Sequence, residues 1–199
     1  MLTDVVPCSV TKRPWKELAR ASAAAALAIE PEAALRELVH CALRITGDDT
    51  AYQKSGALKP GERNFHVAGM FMVSPDETSH FLIAEWGFPP EQHRLHFPLD
   101  TGHPGWVWKN RKGLILENTD HHTDFKQILK TARMGSAIYA PLTWEGQFLG
   151  HLICAAQARN TYIQNDLDRL GSLAAAAASI YMAKGGLAML DQLWRETTG

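Results

Sequence analysis

Cysteine is scarce in this 199-residue chain, and its three residues are scattered. Cys8, Cys41 and Cys154 are odd in number and never form a Cys-x-x-Cys pair. Small domains held together by disulfides use an even, closely spaced set of cysteines, and structural zinc sites use paired ones. The sequence therefore predicts neither a disulfide framework nor a zinc site.

The chain also lacks an excess of charge of either sign and lacks a long apolar run. Twenty Lys and Arg residues against 21 Asp and Glu residues leave a net charge of -1. Nucleic-acid-binding surfaces need clustered basic residues, and a membrane-spanning helix needs about 20 consecutive apolar residues. Residues 1–14 show no basic stretch followed by an apolar core, as a secretory signal would. We therefore expect a cytoplasmic protein with no nucleic-acid or membrane partner.

What the sequence does contain is a regular succession of helical and strand patterns. Apolar residues at helical spacing predict helices over 15–29, from Pro31 to Gly47, and from Asn165 onward, with a break at Gly185-Gly186. Alternating or continuous apolar runs predict strands, which are 67–73, 81–86, 95–99, 114–116, 136–142 and 148–156. Shorter helices are predicted at 105–110 and 125–130. This order is typical of an α+β fold with helices covering one side of an antiparallel sheet.

Several short segments carry a resemblance to a known family. In chain order they are residues 99–107 with a Gly-x-x-Gly turn, 112–118, the Ser-x-x-x-x-Pro-Leu strand 136–142, its partner 146–152, and a helix opening with Tyr162, Asp166 and Leu170. Over about residues 32–181 their order and spacing resemble the GAF family of ligand-binding sensor domains. The resemblance implies an antiparallel sheet of about five to six strands. Terminal helices would then cover one face, and loops with a short helix would form a ligand pocket on the other.

Three segments are expected along the chain: an N-terminal tail and helix (1–30), the GAF domain (31–182) and a C-terminal helical extension (183–199). Small residues from Ala174 to Ala178 let helices approach closely, and Leu187, Leu190 and Trp194 continue an apolar stripe. We expect a homodimer formed through residues 15–29 and 165–194. The sequence shows no kinase, cyclase or DNA-binding segment, so signalling is expected to require a separate partner, or else an output domain elsewhere if the chain is a piece of a longer protein.

The resemblance also implies where a ligand binds, namely between the sheet and the segment 86–134. Aromatic walls with a few polar groups suit a buried organic ligand. The expected ligand-binding residues are Trp86, Phe97, His103, Trp106, Asp124, Phe125, Met134, Ser136 and Tyr139. Each aromatic ring in the segment could instead simply fill the core between the sheet and the loops, and the sequence leaves both interpretations open.

Histidines raise a haem alternative, because some members of the family bind haem through one imidazole. The candidate axial ligands are His103, His121 and His122, and the competing interpretation is that they are solvated loop residues. His151 falls within a predicted strand, where we expect it to be buried and hydrogen-bonded.

Other activities are disfavoured by residue type. GAF-fold reductases of free methionine sulfoxide need thiols in the pocket loop, and residues 118–135 contain no cysteine. Cyclic-nucleotide-binding members carry an Asn-Lys pair and a Phe-x-x-x-Asp-Glu motif; here the Asn-Lys pair and the Glu are absent, and Tyr162-x-x-x-Asp166-Leu167 stands in place of the motif. The sequence therefore predicts a small-molecule-binding sensory domain that acts through a dimer and a separate output partner. The alternative is a haem-binding protein or a small-molecule-transforming enzyme on the same scaffold, and the ligand stays unspecified.

Overall fold

The computed structural model describes residues 10–123, 126–128 and 132–199. Its helices and strands follow the predicted order closely. They are α1 (Pro14–Leu27), α2 (Pro31–Ile45), β1 (His66–Val73), β2 (Ser79–Trp86), β3 (His96–Pro98), α3 (Gly102–Asn110), β4 (Leu114–Leu116), β5 (Ser136–Trp144), β6 (Gln147–Ala156), α4 (Gln164–Ala183) and α5 (Gly186–Thr198). The helix expected at 125–130 lies partly outside the described residues, and residues 126–128 are not helical.

The strands form one six-stranded sheet in the order β3-β2-β1-β6-β5-β4. Every neighbouring pair runs antiparallel. The long central strands β1 and β6 lie side by side, with Phe71 directly opposite His151. This arrangement confirms the predicted antiparallel α+β fold.

Local residue chemistry explains where the helices begin and end. Pro14 and Pro31 occupy the first helical turn, where a missing N–H costs nothing. The Asp166 carboxylate accepts a hydrogen bond from the Ile163 N–H at 3.0 Å and so caps the start of α4. Gly185 adopts a φ of +72°, in the left-handed region that favours glycine, and separates α4 from α5.

Helix α5 folds back onto the domain instead of continuing α4. No single described helix has the length and apolar composition to cross a membrane. Helices α4 and α5 have that length and composition only when counted together, and they are bent by 84° at their junction. The Trp194 ring packs edge-on against Phe81 of β2, with ring centroids 5.2 Å apart. The C-terminal extension therefore covers part of the same core as α2 and α4.

The sheet is buried on both faces, which explains why its strands read as nearly continuous apolar runs. On β1, Ala68, Met70 and Met72 face the core shared with α2 and α4. The alternate residues Val67 and Phe71 face a second apolar cluster on the opposite side. Side chains of this second cluster that come from other elements include Leu82, Val107, Met134, Tyr139 and Ile153. The second face is the one on which a pocket was expected.

Candidate functional site

An apolar cleft lies on the second face of the sheet. Its floor is formed by strand side chains, which are Val67, Phe71, Ala137, Tyr139, Ile153 and Ala155. Phe88 closes one side. Above the floor lies a segment that we call the roof, described here as residues 126–128 and 132–134. The roof side chains at the cleft are Lys126, Gln127, Ile128, Ala132 and Met134.

The cleft is narrow as it stands. The space that the centre of a water molecule can occupy inside it is about 30 Å³. A single water needs roughly 10–15 Å³ on that measure. The cleft thus accommodates very small guests, and a larger guest requires the roof to move away from the sheet.

Tyr139 is the polar side chain among the floor residues. It extends from β5 and is almost fully buried. Burial raises the pKa of the Tyr139 hydroxyl, so the group stays protonated and available as a donor at neutral pH. The remaining floor side chains are hydrocarbon or aromatic rings, and they favour an apolar guest.

Two buried histidines lie beside the floor. His151 of β6 is fully buried, and its ring stacks on Phe71 with centroids 5.2 Å apart and an angle of 14°. Tyr139 lies 5.8 Å from the same imidazole, and His80 of β2 lies 4.9 Å away, edge to face. Phe71 and Tyr139 therefore border both the cleft and His151.

These histidines make few hydrogen bonds for buried polar groups. The His80 Nε2 pairs with the carbonyl oxygen of Leu99 at 3.1 Å. Within the described part of the chain, the Nδ1 of His80 and both ring nitrogens of His151 have no hydrogen-bond partner. The burial expected for His151 is confirmed, whereas the hydrogen bond expected for it is not found.

Burial determines the charge of both imidazoles. It lowers the pKa of His80 to about 4. It also lowers the pKa of His151 well below the usual range, and the nearby His80 adds to this effect. Both rings are therefore neutral at pH 7, and each neutral imidazole offers one donor and one acceptor.

The expected ligand-binding residues do not all meet at one place. Met134 and Tyr139 line the cleft. Phe97 of β3 lies next to it, with its ring 5.3 Å from Phe71 and 5.3 Å from His80. Asp124 and Phe125 lie outside the described residues.

Other expected site residues lie away from the cleft. Trp86 is 41% exposed and stacks on His40 of α2, with centroids 4.5 Å apart on the helical side of the sheet. Trp106 of α3 is 40% exposed. Ser136 is fully buried and donates its hydroxyl hydrogen bond to the Ala158 carbonyl oxygen at 2.6 Å, which ties β5 to the segment after β6.

The three histidines considered for haem lie near a second, open and polar depression. Its residues are Ile115, Glu117, Asn118, His121, His122 and Asn160. His103, in the first turn of α3, approaches His122 edge to face with centroids 5.3 Å apart. None of the three lines the apolar cleft. Among the described residues, no group of three His, Cys, Asp or Glu side chains is arranged to hold a metal ion.

The two described cysteines lie on the helical side of the sheet. Cys41 of α2 and Cys154 of β6 are buried in the core shared with α2 and α4. Burial raises the pKa of each thiol to about 12. A thiol with so high a pKa is a poor nucleophile at neutral pH, and the sheet separates both from the cleft. Cys8 lies outside the described residues.

Sequence reasoning found Tyr139 but missed most of the floor, including Val67, Phe71 and Ile153, and the adjoining His80. It singled out His151 as a buried strand residue, without relating it to the site. The alternation within each strand was visible in the sequence. Which alternate set of residues faces the cleft depends on strand register and on the face to which the helices attach.

A family model describing a GAF domain matches residues 59–180, which is more than half of the chain. The chain belongs to the GAF domain family. Membership of this family supports a small-molecule-binding domain, and the cleft lies where the resemblance implied a ligand pocket. None of the curated proteins shows a significant sequence match.

Solved GAF domains share the fold of this one at low sequence identity. The GAF domain of a phosphoenolpyruvate-protein phosphotransferase from Acinetobacter is 14% identical, with a TM-score of 0.68 over 89% of this chain and 97% of that one. The corresponding domain from Coxiella burnetii is 17% identical, with a TM-score of 0.67 over 87% and 97% of the two chains.

An enzyme with the same fold is also similar. The free methionine-R-sulfoxide reductase of Neisseria meningitidis, solved in complex with its substrate, is 16% identical, with a TM-score of 0.67 over 90% of this chain and 96% of that one. Likeness at this level of identity establishes the shared GAF fold and no shared activity.

Proposed function

We propose that this GAF domain is a sensory and regulatory domain whose ligand binds in the cleft between the sheet and the roof. The observation that carries the proposal is the composition of that cleft, an apolar floor with the Tyr139 hydroxyl as its polar group. Binding sites for small organic molecules combine mostly apolar walls with a few polar groups in this way.

Ligand binding would be coupled to movement of the roof. The Gln92 amide donates to the Ile128 carbonyl oxygen at 2.9 Å, and the Thr119 hydroxyl donates to the Met134 carbonyl oxygen at 2.7 Å. These two bonds tie the roof to the turn before β3 and to the turn after β4. A guest larger than a few water molecules would displace the roof and so favour a second conformation, which is the requirement for ligand control.

The proposed output runs through the terminal helices. In this proposal α1, α4 and α5 form a homodimer in the cytoplasm, and the dimer acts on a separate signalling partner. Trp15 and Leu187, which are 60% and 53% exposed, offer apolar contact area on these helices. Light scattering across a range of protein concentrations tests the dimer, and a monomer mass at every concentration would rule it out.

A thermal-shift screen tests the binding site. Nitrate, amino acids, purines and aromatic acids are the first compounds, because a ligand that binds the folded state raises the Tm by mass action. Any compound that raises the Tm is then titrated by calorimetry against Ala155→Leu, in which a larger side chain fills the floor of the cleft. Ala183→Leu, on the exposed side of α4, is the matched control.

The proposal expects binding to the unmodified protein and to Ala183→Leu, with at least a tenfold loss of affinity in Ala155→Leu. Equal affinity for all three proteins would place the ligand outside the cleft. An absorption spectrum of the purified protein tests the haem alternative, which requires a Soret band.

A further inference from the structure

The unpartnered nitrogens of His80 and His151 are exceptional in a buried setting. The large majority of buried side-chain polar atoms in folded proteins have a hydrogen-bond partner. Leaving one without a partner costs free energy because the group gives up its bonds to water. Three such nitrogens occur here on two rings whose centroids are 4.9 Å apart.

Their position relates them to the ligand cleft. Phe71 and Tyr139 line the floor, and each of them also contacts the His151 ring. The His151 imidazole does not itself line the cleft but lies against these two lining rings, with His80 beside it. We call the part of the cleft bounded by Phe71 and Tyr139 its inner end, and the polar groups near it are the Tyr139 hydroxyl and the two buried imidazoles.

The inner end carries no full charge. Both imidazoles are neutral because burial disfavours their charged forms. The ammonium group nearest to the cleft among the described lining residues belongs to Lys126, which lies in the roof and is exposed. An ionised ligand group at the inner end would lose its hydration without gaining an opposite charge, whereas a neutral donor or acceptor would match the rings.

We propose that Tyr139 and His151, with His80 beside them, bind an uncharged hydroxyl or N–H group of a small and otherwise apolar ligand. The inference rests on the proposed function and adds the chemical class of the ligand. Because His151 is fully buried, contact with its imidazole requires the Phe71 or Tyr139 ring to turn aside.

Phenol and toluene are suitable probes because they have nearly the same shape and differ in a hydroxyl against a methyl group. Each is titrated into the full chain, and binding is followed by NMR at the methyl group of Met134. We expect phenol to bind about tenfold more tightly than toluene, the effect of one buried hydrogen bond to an otherwise unpartnered group. In spectra of ¹⁵N-histidine-labelled protein, phenol should shift an imidazole nitrogen resonance of His151.

Substitutions identify the group responsible. His151→Phe should abolish the preference for phenol and change the toluene affinity by no more than about threefold. His151→Gln, which keeps a donor and an acceptor, should retain part of the preference and serves if the phenylalanine variant folds poorly. His40→Phe is the matched control, since His40 lies on the helical side of the sheet against Trp86.

The outcomes separate this inference from the proposed function. Equal binding of phenol and toluene in the cleft would overturn the polar inner end and leave the cleft as a binding site. Tighter binding of benzoate than of phenol would overturn the requirement for an uncharged group. Failure of both phenol and toluene to perturb Met134 would overturn the inference and the cleft together.

Discussion

The buried guanidinium of Arg159 is paired with the carboxylate of Glu62, with Nη2 donating to Oε1 at 3.0 Å and Nη1 to Oε2. The Arg159 side chain is only 2% exposed. Its Nε also donates to Asp120 at 3.1 Å, and hydrogen bonds from Lys59 and then Arg159 lower the pKa of Asp120 to about 2. Arg159 therefore ties two loops to the end of β6, and one of them precedes the roof.

Loss of this guanidinium should destabilise the domain strongly. Arg159→Met leaves the partly buried Glu62 carboxylate without its guanidinium and removes one partner of Asp120, which keeps Lys59. We expect the free energy of unfolding to fall by about 3 kcal/mol. Lys54→Met is the control, because Lys54 pairs with Asp48 at an exposed position, where an ion pair contributes no more than about 1 kcal/mol. Urea unfolding measures both variants, and equal losses would show that Arg159 is not a structural tie.

The two buried histidines, His80 and His151, should make the free energy of unfolding depend on pH between about 6.5 and 4. The folded-state pKa values of His80 and His151 are lowered, to about 4 for His80. Below about pH 6.5 the unfolded chain therefore binds protons that the folded chain does not. Stability should be unaffected above that pH and should fall below it, by about 1.4 kcal/mol per pH unit for each buried histidine, until the folded pKa is reached.

Urea unfolding between pH 7 and pH 4.5 measures this slope. His151→Phe should reduce the slope, whereas His121→Phe, at an exposed position, should leave it unchanged. The same slope in the His151→Phe variant would show that the His151 ring is protonated in the folded protein.

Replacing Gly150 or Gly171 by alanine should change the stability of the domain in opposite directions, because the two glycines have different surroundings. A Cβ at Gly150 would lie 2.1 Å from the Phe71 carbonyl oxygen on the neighbouring strand, so Gly150→Ala forces the strands apart. We expect a loss of 2 kcal/mol or more, on the order of other overpacking changes. Gly171 lies within α4 with nothing within 4 Å of the added carbon, so Gly171→Ala should stabilise by about 0.5–1 kcal/mol. Thermal unfolding of the two variants tests both signs.

Helix α5 should contribute to the stability of the domain. Trp194→Ala removes the ring that packs against Phe81 and His96, and we expect a loss of about 2 kcal/mol for this partly buried aromatic. Trp15→Ala, at a 60% exposed position, should change the unfolding free energy by less than about 0.5 kcal/mol. Similar values for the two would indicate that α5 is not part of the folded core.

Strand and helix positions followed from local pattern because each depends on neighbours in the chain. Apolar spacing predicted the long helices α1, α2 and α4 and all six strands, and the Gly185-Gly186 step predicted the break between α4 and α5. The family resemblance, which rested on the order of short segments, predicted the antiparallel sheet and the side on which a pocket lies. Phe125 and Asp124 lie outside the described residues, so their expected roles stay predictions.

The face reached by each side chain was decided only in three dimensions. Alternation along β2 would place Trp86 on the same face as His80 and Leu82. The pairing with β1 shifts register between Met70 and Phe71, which stand opposite Ala84 and Leu82, so Ile83 is an extra residue in β2. This bulge turns Ala84 and Trp86 toward the helices.

The sequence by itself thus determined the periodicity, the breaks and the order of the elements, because these depend on the propensities and turn geometry of adjacent residues. Only the tertiary structure decided that Phe71, Tyr139, His80 and His151 meet. These residues come from four different strands, β1, β5, β2 and β6. Their meeting depends on the strand register, on the bulge in β2 and on which face of the sheet the helices cover. Those choices are made by contacts between residues far apart in the chain.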